Sequence, residues 1–325
     1  MKTKKKLTLR YEMFLVLLLA AMVLTIGLIN PAFFSWGTLF DVILIQTVFI
    51  LMAFGLLPVV ILGGVDISFV AIAALSTYPV NNLMEKYGYT GGIWLYYLGG
   101  IVIAILVGII IAFLLSTFKL NIFDLSLAMN TLIYGFITFF IGSMTNPWNS
   151  PGVIGWNTKY LITVESVVGQ SGLHISFLSI LVSGILLHLL LRYTMIGRGI
   201  YAVGSDKSVA IRTGFNVRKI YMVVFPIMGI MAALAGVTNS ILKSDFWPYL
   251  FIGKNMQVLA AVVLGGASTT GGKGTVFGTF LGAILIGLVS QALVYLGVDT
   301  QWYDAVVGII FVVYATFQSL AEQRQ

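Results

Sequence analysis

The sequence predicts an all-α polytopic membrane protein with about ten transmembrane helices and both termini in the cytoplasm. Three observations carry that expectation. Of the 325 residues, 59% are hydrophobic and only 9% charged, with mean hydropathy +1.02, whereas soluble folds carry about 25% charged residues. Apolar runs recur from residue 13 to residue 320, each near the roughly 20 residues a helix needs to cross a bilayer. When the runs are taken as crossings, the basic residues sort to one side.

The runs are 13–29, 39–62, 67–84, 93–117, 123–143, 173–191, 220–242, 256–272, 275–297 and 302–320. The third carries Pro79, Asn81 and Asn82, and the eighth ends in a cluster of polar residues and glycines. With a cytoplasmic start, the inner side collects Lys2, Lys4, Lys5, Lys6, Arg10, Lys119, Arg192, Arg198, Lys207, Arg212, Arg218, Lys219, Lys273 and Arg324, which is 14 of the 18 basic residues. Lys86, Lys159, Lys243 and Lys254 stay outside, and inverting the chain would invert that ratio. All six tryptophans (Trp36, Trp94, Trp148, Trp156, Trp247 and Trp302) fall on or beside outer connections, where a half-buried ring with a wet N–H is at home. The basic stretch Met1 to Arg10 resembles the start of a signal peptide. No small-residue cleavage site follows, and Asn30-Pro31 closes a full span, so an uncleaved first helix is expected.

Composition also excludes several kinds of chemistry. With no cysteine there is no disulfide, thiol chemistry or cysteine metal site. His174 and His188 stand at opposite ends of one run, as interfacial or packed residues rather than a relay. Nothing resembles a catalytic dyad, a zinc ligand set or a nucleophile elbow, so a non-catalytic protein without a metal is expected. The net charge of +7 follows from anchoring the inner side and does not imply nucleic acid. The stretch from Gly265 to Thr275 fails as a phosphate-binding loop: Gly266 and Gly271 have the right spacing, but Gly272 sits where the lysine belongs.

The chain is expected to form one integral-membrane domain, 1–325. Its long outer connection, 144–172, is rich in Asn, Pro, Gly and Ser. Its long inner loop, 192–219, alternates charged and apolar residues and suits short amphipathic helices against the membrane. A faint internal repeat relates Val59 to Gly64 with Val262 to Gly266, and matched glycine-interrupted segments in two halves mark transport paths. Gly265, Gly266, Gly271, Gly272 and Gly274 permit either tight helix packing or a broken helix lining a path. Asp66, in Gly63-Gly64-Val65-Asp66-Ile67-Ser68, either caps the third helix or is an ionisable group on the path. Asp124 either caps the fifth helix or lines the path with Asn130. Few acids, histidines or arginines lie within the spans, which speaks against a proton- or cation-coupled carrier.

The inner loop carries the most specific pattern, with Thr194, Gly197, Arg198, Tyr201, Ala202, Gly204, Asp206, Ala210, Gly214 and Asn216 at fixed spacing. It resembles the ribose-type permeases of bacterial ABC sugar importers, whose loop reads T-x-x-G-R-x-x-Y-A-x-G-x-[ND] before a small-residue segment. Gly63 to Ser68 resembles that family's G-G-I-D-L-S signature. Val263 to Gly266, with Gly271, Gly272, Lys273, Gly274, Gly278 and Thr279, resembles its third, glycine-rich one. The chain departs from the pattern at Ile122 and Asp124, where the family has proline and an apolar residue, and at Phe69 and Val70, where a glycine is usual.

The resemblance implies a permease subunit in the bacterial cytoplasmic (inner) membrane, working as a homodimer or as half of a heterodimer. It implies a cytoplasmic ATPase docked on 192–219, which holds ATP and Mg and leaves this chain without a cofactor of its own. It also implies a solute-binding protein outside. Arg198 and Asp206 are then expected to meet the ATPase, with Gly197, Gly204 and Gly214 shaping the turns. A neutral path suits a neutral cargo such as a pentose, hexose or related furanose. The competing expectation is a secondary carrier or facilitator for a small polar solute, working without an ATPase.

Overall fold

The computed structural model describes residues 2–142, 146–147, 153–166, 169–249 and 251–323. Among them the helices are α1 (Lys2–Ile29), α2 (Trp36–Ile61), α3 (Phe69–Lys86), α4 (Trp94–Phe118), α5 (Ile122–Phe136), α6 (Phe177–Tyr193), α7 (Met195–Ser205), α8 (Lys207–Arg212), α9 (Val217–Lys243), α10 (Asn255–Leu264), α11 (Val276–Tyr295) and α12 (Tyr303–Gln323). A π-turn, Ile137–Ile141, extends α5. Four short strands complete the set: β1 (Asn146–Pro147), β2 (Tyr160–Ser166), β3 (Gly169–His174) and β4 (Asp245–Phe246), paired antiparallel as β1 with β4 and β2 with β3. Trp148 and Arg324 lie outside the described residues.

Helix α9 is the central post and packs against α2, α3 and α4. Its contact with α4 is close because glycines face backbone. A Cβ on Gly108 would sit 2.7 Å from the Phe225 carbonyl oxygen, and one on Gly229 would sit 2.5 Å from that of Ala104. Small residues serve this purpose in membranes, where helix association relies on packing rather than on water exclusion. Helices α2, α9 and α11 are buried over most of their length, whereas α1 and α5 are largely exposed. What the outer helices expose is apolar: Leu17 on α1, Leu106 and Ile110 on α4, Leu132 on α5, Val182 and Leu186 on α6. Such a surface suits hydrocarbon and not water.

By length and composition six helical stretches can cross a membrane: Glu12–Ile29, Trp36–Ile61, Trp94–Phe118, Ile122–Phe140, Val217–Lys243 and Val276–Tyr295. The pair Phe177–Tyr193 and Met195–Ser205 makes a seventh if taken as one bent span. The protein is therefore mainly helical and polytopic. The expected runs at 67–84 and 302–320 correspond to α3 and α12; α3 does not meet the same criterion, and Tyr303–Val313 at the start of α12 is a shorter apolar stretch.

Two expected spans differ from what forms. The eighth, 256–272, stops at Leu264, so α10 is about 15 Å long. The cause is local: Gly266, Gly271, Gly272 and Gly274 all have positive φ, a region closed to a continuing helix. The sixth, 173–191, loses its start to β3, and α6 begins at Phe177. The outer connection thus holds a hairpin in a mainly helical chain. Tyr160, Ile162, Thr163 and Val164 favour a strand, and Ser171 Oγ fastens the hairpin to α2 by donating to Asp41 Oδ1 at 2.7 Å.

Side-chain bonds define two ends of the bundle. At one, Asn30 Nδ2 donates to the Tyr295 carbonyl and Thr38 meets the Tyr295 hydroxyl, so the end of α1, the start of α2 and the end of α11 lie together. The hairpin and the starts of α2 and α4 belong there too, along with Trp36, Trp94 and Trp156. At the other end lie the last turn of α2 and helices α7 and α8.

Candidate coupling site

The 192–219 loop is built by helix caps. After α6 the chain turns by 73°. Thr194 closes that turn, its Oγ1 accepting from Gly197 N at 3.0 Å. Gly197 allows it, since a Cβ there would lie 2.3 Å from the carbonyl oxygens of Leu190 and Leu191. Asp206 ends α7 and caps α8: Oδ1 accepts from Ser208 Oγ at 2.7 Å, Ser208 N at 2.8 Å and Val209 N at 3.0 Å. Those bonds, the Ser208 hydroxyl foremost, hold the Asp206 carboxyl below its ordinary range. Ala210 is buried beneath α8. Gly214 turns the chain at φ +92°, and Asn216 caps α9 by accepting from Lys219 N at 3.1 Å. Three motif residues, Thr194, Asp206 and Asn216, are therefore helix N-caps, the usual place for short polar side chains. Arg198 is exposed on α7. Beside it α8 exposes Val209 and Ile211 between Lys207 and Arg212, a small apolar face that sequence spacing alone did not single out.

The structure brings together three segments, around Ile61, Gly204 and Gly272, that are far apart in the sequence. A Cβ on Gly204 would sit 1.7 Å from the Ile61 carbonyl oxygen and 2.8 Å from Gly272 N. Gly272 N donates to that same Ile61 oxygen at 2.8 Å. Gly63, at φ +82°, stands against the Thr270 carbonyl, 3.3 Å from where its Cβ would be. Tyr201 Oη donates to the Gly274 carbonyl at 2.7 Å. Gly265 lets the end of α10 meet α11, its Cβ position lying 2.6 Å from Gly278 backbone, and Gly266 turns the chain away at φ +88°. All three motifs thus meet at the α2–α7 end of the bundle. Glu12 joins them, because Thr275 Oγ1, the cap of α11, donates to its Oε1 at 2.7 Å. No sequence pattern pointed to Glu12.

Tyr201 is mostly enclosed, and burial pushes its phenol up to about 12, so it remains a donor throughout the physiological range. Tyr201→Phe removes that one bond from the junction. A neutral hydrogen bond contributes about 1 kcal/mol, and we expect transport to fall several-fold while the amount of inserted protein is unchanged, as read by uptake normalised to immunoblot. Wild-type uptake by the variant would deny this contact a role.

Asp66 is 1% exposed. Its Oδ1 accepts from Ser68 N at 2.6 Å and Ser68 Oγ at 2.7 Å, while Oδ2 is buried without a partner. These bonds fasten the turn entering α3. Next to it Ile67 N donates to Ser126 Oγ of α5 at 3.2 Å. Gly64 packs on Ile122. Asp124 is exposed in the first turn of α5, whose cap is Asn121, accepting from Phe123 N at 2.9 Å. Asn130 faces inward with a buried Oδ1, so Asp124 and Asn130 are not brought together.

The profile of a family described as the branched-chain amino acid transport system permease component matches residues 38–315. Among curated relatives, the ribose import permease protein RbsC of Bacillus subtilis (strain 168) is 29% identical over 294 residues, covering 90% of this chain and 88% of the relative. The D-allose transport system permease protein AlsC of Escherichia coli (strain K12) is 27% identical over 299 residues, covering 90% and 86%. The L-arabinose ABC transporter permease protein AraH of Azospirillum brasilense is 29% identical over 312 residues, covering 93% and 85%. No solved structure matches the chain significantly. With apolar helices of membrane-crossing length and a family match across most of its residues, the chain belongs to this family of transport-system permease components, which are integral membrane transporters and not catalytic enzymes.

Proposed function

We propose that this chain is the permease subunit of an ATP-binding-cassette importer that carries a small neutral sugar across the bacterial cytoplasmic membrane. The observation that carries the reading is the junction of α7 with the end of α2 and the 270–274 loop. A push on α7 reaches α2, α10 and α11 through backbone contacts that leave no slack, as alternating access requires. The ATPase, which holds ATP and Mg, docks on the exposed face of α7 and α8, with Arg198 as its contact; the Asp206 carboxyl acts by holding the turn between them. A solute-binding protein docks at the opposite end, beside the hairpin, and a second permease, identical or different, completes the path. Ten passes with both termini inside fit this arrangement, the eighth made by α10 with the non-helical segments on either side.

The family description mentions branched-chain amino acids, while the relatives' names mention ribose, allose and arabinose. A zwitterionic amino acid needs counter-charges in the spans, because burying an unpaired ion is costly. Few charged groups stand there, which favours a neutral cargo. Arg198→Glu tests the coupling: the variant inserts normally, loses ATP-dependent uptake and no longer retains the ATPase in a detergent pull-down. Full ATP-driven uptake by this variant would sink the docking assignment, and uptake in liposomes without ATP would hand the case to a secondary carrier.

A further inference from the structure

Among the described residues, besides Asp66 Oδ2 at the entry to α3, four side chains carry a buried oxygen without a hydrogen-bond partner: Gln46 Oε1 on α2, Asn130 Oδ1 and Tyr134 Oη on α5, and Gln257 Oε1 on α10. Gln46, Tyr134 and Gln257 are at most 9% exposed. Their depths agree. Gln46 lies about 15 Å from the outer end of α2, at 1.5 Å per residue. Asn130 and Tyr134 lie about 12 and 18 Å from the inner end of α5 by the same rise. Helices α10 and α11 run antiparallel with Gly265 against Gly278 and Ala261 against Gly282. One turn further out, Gln257 is level with Ile286, about 15 Å along α11. All four therefore fall in the middle third of a hydrocarbon core about 30 Å thick.

Orphaned polar atoms are rare in native interiors, and each weakens the fold that keeps it. Four in one layer of an apolar bundle need a reason that packing does not supply. The same layer contains the start of α10, whose first turn no side chain caps. That first turn is partly exposed, with Met256 59% exposed, and its leading N–H groups have no partner within the helix. The layer thus offers uncharged acceptors and donors, from amides, a phenol and backbone. The Asp304 carboxylate beside it is already engaged, since Gln257 Nε2 donates to its Oδ1.

We propose that Gln46, Asn130, Tyr134 and Gln257 form the mid-membrane contact site for the cargo, a neutral polyhydroxylated molecule whose hydroxyls supply the missing partners. Hydroxyl groups donate and accept alike and so complete amides and phenols without charge. The first turn of α10 adds donors for ring and hydroxyl oxygens. This site deepens the importer reading given above and rests on it.

The test uses volume-conserving variants: Tyr134→Phe and Gln46→Met, which remove the polar atoms of an orphaned group, and Gln257→Met, which also removes the donor to Asp304 Oδ1. Uptake of 14C-labelled ribose, allose and arabinose is measured in cells containing the whole transport system, alongside the Tm of each purified chain in detergent. A cargo site predicts that uptake falls about ten-fold or more for at least one sugar, that the ratios among sugars change, and that Tm stays level or rises for Tyr134→Phe and Gln46→Met, where only an orphan is removed. Uptake of all three sugars within two-fold of wild type overturns the proposal. So does an equal fall for every sugar with a lowered Tm, which would mean that these side chains only support packing. Wild-type uptake that needs no ATP overturns the importer reading instead, and leaves the comparison among variants standing as support for the site.

Discussion

Gly204→Ala is expected to abolish most ATP-driven uptake and to lower the Tm of the purified chain, whereas Gly214→Ala is expected to have a mild effect. Both glycines belong to the same loop, but different physics retains them. A Cβ on Gly204 would sit 1.7 Å from the Ile61 carbonyl oxygen, and the obstacle is backbone that cannot rotate away. Helix α7 would have to lift off α2 and break the Gly272 to Ile61 hydrogen bond beside it. The strain lies at or above the roughly 1–3 kcal/mol typical of overpacking, and it falls on the junction through which force must pass. Around Gly214 there is open space, and only its φ of +92° resists a side chain, at about 1–2 kcal/mol. The measurement is uptake per inserted molecule for the two variants side by side. Equal effects would remove the α2–α7 junction from the mechanism.

Asp66→Asn is expected to stabilise the protein at neutral pH and to remove part of its pH dependence. Burial pushes the Asp66 carboxyl up to about 6 from its ordinary 3.8, against the opposing hydrogen bonds of Ser68. A folded-state value above the unfolded one means that the fold prefers the protonated acid. Its contribution is therefore fully present below about pH 4 and is lost as pH rises through about 6. Above that, the ionised group weakens the fold by up to about 3 kcal/mol. Asparagine keeps an oxygen for Ser68 N and Ser68 Oγ and carries no charge. We expect the variant to gain Tm at pH 7.5 and to match wild type near pH 4.5, while Asp66→Ala loses the turn as well and falls below wild type at the acid end. A wild-type-minus-variant difference that does not change with pH would contradict a buried carboxyl that titrates near 6.

Much of the architecture is legible in the chain because lipid imposes a simple demand. A crossing helix must stay apolar for its whole length, so the runs 39–62, 93–117 and 220–242 correspond to α2, α4 and α9 within a few residues. The inner loop is legible as short helices because Thr194, Asp206 and Asn216 each precede a helical run, and short polar residues there signal N-caps. Asp206 illustrates the limit of that reading. From spacing it could meet a partner or the backbone, and in the fold its Oδ1 accepts from three donors of its own chain. The hairpin escaped because Leu173 and His174 read equally well as the start of an apolar run, and a short apolar stretch does not declare its period.

Sequence alone determined that this is a mainly helical membrane protein, where its main apolar helices lie and which permease family it resembles. Those properties depend on local composition and on motifs a few residues long. Only the tertiary structure decided that α10 stops halfway, that Gly63, Gly204 and Gly272 share one junction, that Glu12 joins it, and that four of the orphaned oxygens lie at one depth. The reason is geometric. A glycine at positive φ and a glycine pressed against a carbonyl are the same letter in a sequence, and they differ only in what the rest of the chain brings to them.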